Sequence, residues 1–204
     1  MSAAKHLAPA LENGAVMSRE EFHRLYAECE GYERVELIEG VVFMPSPIKV
    51  ESHADPHGLV IVWLGTYAAA FEDLRALPPV SVLLDGTNEP EPDAMLIRTT
   101  PGWISDDGYV AKAPELVVEI AGSSSSRDAN QKRRAYERNG VGEYLVWRTL
   151  DGAIDWFVLR DGVYVAKSQD AAGRIESEQF PGLVMDVRAM LAMDRTAVLA
   201  ALKG

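Results

Sequence analysis

The chain has a single cysteine, Cys29, in 204 residues. A lone thiol closes no internal disulfide, so the expected compartment is reducing, the cytoplasm. It also lacks a clear histidine partner for thiol catalysis. Long apolar runs are missing: residues 60–64 and 68–71 fall far short of the ~20 needed to cross a bilayer. No basic-then-apolar segment marks a signal peptide at the N-terminus, and no Gly-rich phosphate loop occurs. Positive charge is scarce as well, with Lys+Arg 20 against Asp+Glu 31 and a net charge of -11. Neutralising phosphates dominates nucleic-acid affinity, so any nucleic-acid ligand would have to meet clustered basic residues.

What remains is an ordinary globular composition, 48% apolar and 25% charged, at a length that fits one domain. Residues 1–16 show no firm period and read as a loosely ordered lead-in to a single domain over 17–204. Ser18 and Glu21 have capping-box spacing, and Phe22, Leu25 and Tyr26 give the helix behind them an apolar face that Gly31 ends. A short hairpin turns at Glu39-Gly40 and stops at Pro45 and Pro47. Asp55-Pro56 reads as a helix start, with Asp55 as cap, for a helix over 56–72 that packs Leu59, Val60, Trp63, Leu64 and Tyr67. Strands are expected over 80–84, 92–97, 115–121 and 143–147. A basic helix over 127–139 follows a Ser126 cap and closes at Gly140. A second hairpin turns at Asp161-Gly162, and Asp194 caps a terminal helix. Alternating helices and strands favour an α/β fold with a mixed sheet.

The chemistry concentrates at three residues. Glu119 stands inside Leu116-Val117-Val118-Glu119-Ile120, where an ionised carboxylate is costly unless paired or bound to a cation. Asp93 opens another apolar strand. Two carboxylates at strand ends, brought together in one sheet, suit the hard cations Mg²⁺ or Mn²⁺. Lys132, on the helix after the Glu119 strand, can bring a positive charge to the same place. Taken singly, an edge acid is more often solvated or paired with arginine, and a lysine on a basic helix more often faces water; the three together say more.

These residues sit in an ordered series: Glu-Pro-Asp93, Pro-Glu-Leu-Val-Val-Glu119-Ile-Ala-Gly-Ser, Arg-Asp128-Ala-Asn-Gln-Lys132-Arg-Arg-Ala-Tyr136, and Gly140-Val-Gly-Glu-Tyr144-Leu-Val-Trp. Together with Val35-Glu36-Leu37-Ile38-Glu39-Gly40, Met44-Pro-Ser-Pro and Pro56-His57, the series resembles the Uma family of the PD-(D/E)xK restriction-endonuclease-like superfamily over roughly residues 18–190. The resemblance implies a restriction-endonuclease-like mixed β-sheet flanked by helices, with added hairpins, and an endonuclease acting on nucleic acid, DNA ahead of RNA. It implies Asp93 and Glu119 as ligands of Mg²⁺ or Mn²⁺ and Lys132 as the catalytic lysine, with Glu36 and His57 lining the same cleft. The superfamily places its lysine two residues after the glutamate; Ala121 stands there, and Lys132 on the next helix takes over. The usual Leu-Ser-Pro reads Ala121-Gly122-Ser123, and Arg148-Thr149 follows Trp147.

On that reading the Ile120 carbonyl joins the carboxylates, and Asp128, one helical turn from Lys132, positions the lysine. Arg127, Lys132, Arg133, Arg134 and Arg138 form a candidate phosphate-facing surface. His53 and His57, four apart, invite a zinc reading, but Pro56 leaves His53 outside the helix and no third ligand is evident. The rival from another class is a non-catalytic nucleic-acid-binding or regulatory protein on the same fold. The exposed edge of the 153–167 hairpin could pair with a second copy as a homodimer, which suits either reading.

Overall fold

Near-continuous apolar runs, buried on both faces, build the centre of the sheet. The computed structural model describes residues 11–28, 34–44, 47–122 and 127–202, with backbone alone at 127–129. Cys29, Gly31, Pro45, Ser126 and the Asp128 side chain, each given a role above, lie outside the described residues. Strands β3 (Leu74–Leu77), β4 (Ala94–Arg98), β5 (Leu116–Ala121), β6 (Glu143–Arg148), β7 (Ala153–Arg160) and β8 (Val163–Ala166) make one six-stranded sheet in that order. Only β5 and β6 run parallel, because helix α3 (Arg127–Arg138) carries the chain back between them. The other neighbouring strands pair antiparallel.

Leu116, Val118 and Ile120 pack on one face against Leu59, Trp63 and Leu64 of helix α2 (Asp55–Ala68). Trp63 anchors this layer: its indole meets Trp156 edge-on at 6.1 Å and donates to the Val184 carbonyl at 3.0 Å. Val117, Tyr144 and Val146 face the other way, against Tyr136 of α3. A smaller cluster joins helix α1 (Arg19–Glu28) to the hairpin of β1 (Glu36–Ile38) and β2 (Val41–Phe43). Its turn residues Glu39 and Gly40 both have positive φ, as does the Asp161-Gly162 turn between β7 and β8. Among the described residues no helix is long and apolar enough to cross a membrane.

Several local expectations are revised. The lead-in packs from Leu11 onward, which is buried beside Val35 and Val42; Gly14 N donates to the Val42 carbonyl at 2.8 Å. Residues 50–54 wind as a π-helical turn straight into α2, so Ala54 holds the cap position with helical dihedrals and Asp55 caps nothing. Helix α2 stops at Ala68, and Leu-Arg-Ala-Leu, with no β-branched residue, becomes edge strand β3 because β4 offers it a pairing edge. Residues 80–84 form no regular strand, only a bridge between Val82 and Val110. Strands β9 (Arg174–Glu176) and β10 (Val184–Asp186), three residues each, were below the reach of periodicity. Helices α4 (Val187–Leu191) and α5 (Arg195–Ala201) are capped by Asp186 and Asp194, the second as expected.

Glu143 of β6 is fully buried and ties the segment after β9 to the sheet. Its Oε2 accepts from the Ser177 hydroxyl and its Oε1 from the Glu178 amide, both at 2.6 Å. Burial raises its carboxyl above the ordinary 4.5, with these donors opposing. An acid raised on folding adds stability that is complete below its unfolded pKa and lost as pH rises through the folded one. Urea denaturation should therefore find the wild type losing stability above pH 4.5 more steeply than Glu143→Gln. Glu143→Ala, which orphans the Ser177 hydroxyl and the Glu178 amide, should cost about 2–4 kcal/mol at pH 4.5 and less as the pH rises.

Candidate functional site

The alternation that buries Val117 toward α3 puts Glu119 on the same face. Strand β4 pairs Ala94 with Val118, and one further step of this antiparallel register sets Asp93 opposite Glu119. Lys132 reaches the pair from α3, and Glu36 arrives from β1. The lysine ammonium lies 3.0 and 3.1 Å from the two Glu119 oxygens and 2.8 Å from Glu36 Oε1. Asp93, Glu119, Lys132 and Glu36 are thus brought together, all of them lining a cleft of about 490 Å³.

Further groups hold them in place. Tyr136 donates to Glu119 Oε1 at 2.7 Å, and the Glu91 amide donates to Glu36 Oε1 at 2.7 Å. The Ile120 amide donates to Asp93 Oδ2 at 2.7 Å, locking the aspartate to β5. Arg34 donates to Asp93 Oδ1 at 2.9 Å and to the Glu91 carbonyl. His57 stands behind Asp93 rather than in the cleft wall, donating from Nε2 to the Asp93 carbonyl at 2.7 Å. The histidine that lines the cleft is His53, whose Nε2 is 3.3 Å from Asp93 Oδ1. The π-helical turn brings His53 round to the aspartate, which the Pro56 boundary had concealed.

The electrostatics follow from burying three carboxylates around two cations. Burial pushes Glu119 up to about 7; Lys132 opposes this, while Asp93 and Glu36 add to it. Burial would also raise Asp93, but His53, Arg34 and Lys132 outweigh it and hold that carboxyl well below the usual range. Burial alone would discharge Lys132; the Glu119 and Glu36 carboxylates overcome it and keep the ammonium protonated. Arg34 is held charged in the same way, by Glu36, Asp93 and Glu119.

Hard oxygen donors of this kind suit a divalent cation. Among the described residues, however, no three His, Cys, Asp or Glu side chains already close a metal shell. The Lys132 ammonium takes up oxygen atoms of Glu119 and Glu36 that a metal would use. The donor chemistry therefore fits Mg²⁺ or Mn²⁺ once the lysine yields part of its hold.

The basic helix is less free than its sequence suggests. Arg134 pairs with Glu39 at 2.8 Å, Arg138 lies 3.6 Å from Glu39 and 3.5 Å from Asp85, and Arg133 lies over the Phe157 ring at 5.2 Å. Sequence reasoning also missed Arg34, a lone arginine before a short strand that only the tertiary fold brings to Asp93.

Residues 19–188 match the family model Uma2, described as "Putative restriction endonuclease". No curated protein matches the chain. Among solved structures, a putative nuclease from Anabaena variabilis superposes with a TM-score of 0.69, covering 87% of this chain and 98% of that one at 13% identity. At that identity the likeness establishes a shared nuclease-like fold.

The Tyr136 phenol is a donor to a buried carboxylate with no solvent to replace it. Tyr136→Phe should lower stability by about 1.5–3 kcal/mol in chemical denaturation while leaving far-ultraviolet circular dichroism unchanged. A loss under 0.5 kcal/mol would show that Glu119 does not need this donor.

Proposed function

Starting from the fact that the chain belongs to the Uma2 family of putative restriction endonucleases, we propose that it is a metal-dependent endonuclease that hydrolyses phosphodiester bonds of nucleic acid, DNA ahead of RNA. The observation that carries this reading is the convergence of Asp93, Glu119 and Lys132 from a strand start, a strand interior and a helix onto one buried point beside a cleft.

Asp93 and Glu119, with the Ile120 carbonyl, would hold Mg²⁺ or Mn²⁺. Such an ion lowers the pKa of a bound water and offsets charge on the phosphate. The protein's own part is positioning. Tyr136 fixes the Glu119 carboxylate, and the Ile120 amide, Arg34 and His53 fix that of Asp93. His57 holds the Asp93 backbone. Lys132, steadied by Glu36, presents a protonated ammonium that can orient the attacking water or meet charge building on the phosphate oxygens.

A second reading, a non-catalytic nucleic-acid-binding protein on this fold, draws support from one observation: Lys132 occupies both Glu119 oxygens and thereby competes with a metal.

Calorimetric titration with Mg²⁺ and Mn²⁺, paired with an oligonucleotide cleavage assay, separates the two. In the endonuclease, Asp93→Ala and Glu119→Ala abolish both ion binding and cleavage while staying folded. Lys132→Ala keeps or tightens ion binding but loses about 10²–10³-fold in cleavage rate. Absence of ion binding by the wild type, with and without a non-cleavable oligonucleotide, would move the assignment to the binding protein.

A further inference from the structure

Apolar side chains also line the cleft, and the chemistry above leaves this apolar arm unused. Ile48 and Leu150 stand at its rim, 59% and 71% exposed, and Phe43 and Val146 line it. Solvent-exposed apolar side chains gathered at a cleft mark a place where something packs. Three polar atoms in the same lining lack a hydrogen bond, and one of them, Arg34 Nε, is answered by Glu91 Oε2 at 3.8 Å. The other two, the Tyr144 hydroxyl and Gln131 Oε1, are both buried and lack a hydrogen-bond partner. Tyr144 itself is 1% exposed. A buried polar atom left unpaired costs about 1–3 kcal/mol, so a bound group that completes its bonding accounts for its presence there.

Charge narrows the identity of that group. Arg34 and Lys132 are matched by Asp93, Glu91, Glu36 and Glu119. Lys49 is the one lining lysine or arginine without an ion pair among the described residues. A duplex gripped by its phosphates needs several free cations. One unstacked base needs apolar surface and a few polar atoms for its edge, and a single cation suffices for the phosphate next to it.

We propose that the apolar arm receives one unpaired nucleobase of the substrate strand, with Tyr144 and Gln131 meeting its polar edge and Lys49 its neighbouring phosphate. The substrate is then single-stranded or locally unpaired nucleic acid. This rests on the nucleic-acid reading above and specifies its substrate class. The cleft volume of about 490 Å³ is ample for a base with its sugar.

The test is binding rather than cleavage. A phosphorothioate DNA 12-mer containing 2-aminopurine is titrated in Mg²⁺, alone and annealed to its complement, following anisotropy and base fluorescence. The single strand should bind about tenfold or more tightly than the duplex, with a change in aminopurine emission. The rim variant Ile48→Ser/Leu150→Ser should lose about tenfold in single-strand affinity and keep the wild-type duplex affinity. Tyr144→Phe, which removes only an unpartnered hydroxyl, should weaken single-strand binding severalfold without lowering the denaturation midpoint. Lys49→Ala should reduce the slope of log affinity against log salt by about 0.7. Equal affinity for duplex and single strand, with the rim and Tyr144 variants unaltered, would overturn the base pocket and leave the nuclease reading intact. Binding of neither oligonucleotide would overturn both.

Discussion

Three carboxylates buried around two cations set the terms for the rest of this fold. Glu36, Asp93 and Glu119 are each 7% exposed or less, and the Lys132 and Arg34 charges sit between them. Removing one partner of such a buried arrangement costs about 3–5 kcal/mol. The sheet register therefore has little freedom. A one-residue slip of β5 would turn Glu119 to the opposite face, into the layer of Trp63 and Leu64, with no cation to meet it. Apolar packing alone could tolerate that shift in a strand as uniformly hydrophobic as Leu-Val-Val-Glu-Ile; the charge cannot. The α3 crossover is bound by the same requirement, since Lys132 must arrive on the face that Glu119 occupies.

That constraint also explains what could be read from the sequence. A glutamate in an otherwise apolar strand announces that it is buried with a partner, so Glu119 was legible from residue types; the next helix offers five cations, and the family resemblance singled out Lys132 among them. Asp93 was legible because it opens an apolar strand, and the fold because the two helices α2 and α3 and the apolar runs of β4, β5 and β6 each stand out in the sequence. Arg34 was not: nothing local distinguishes an arginine that reaches across to another strand from one facing water. His53 was hidden by a sound rule, since Pro56 does mark a helix start, but the π-helical turn before it has no hydrophobic period of its own. Strands β3, β9 and β10 escaped because their pairing partners, rather than their side chains, make them strands.

The acidic balance of the chain takes on meaning once ion pairs are placed. Arg134 and Arg138 look available on a helical wheel, yet Glu39 and Asp85 rise from neighbouring turns to meet them. Glu39 meets both arginines from the positive-φ turn at 39–40. Cations that serve to dock the hairpin on the helix contribute less field for attracting a polyanion. On the nucleic-acid reading proposed above, affinity would have to come from short-range contacts, for which the cleft is the proposed place.

Tyr144 brings the two demands of stability and binding into contrast. Its ring lies 5.4 Å from Tyr136 and about 6 Å from Phe157 and Tyr164, an aromatic group in which phenylalanine would pack equally well. The neighbouring phenols each have a use within the fold: Tyr136 holds Glu119, and Tyr164 donates to the Val141 carbonyl at 2.9 Å. The Tyr144 hydroxyl has none, and burial together with Glu119 opposes its ionisation, so it remains a neutral donor beside the carboxylates. Packing gives no reason for that oxygen, and stability argues against it. The proposed base supplies one: among the described residues Tyr144 is the phenol of this cluster that the protein itself leaves without a hydrogen bond, and it belongs to the lining of the cleft.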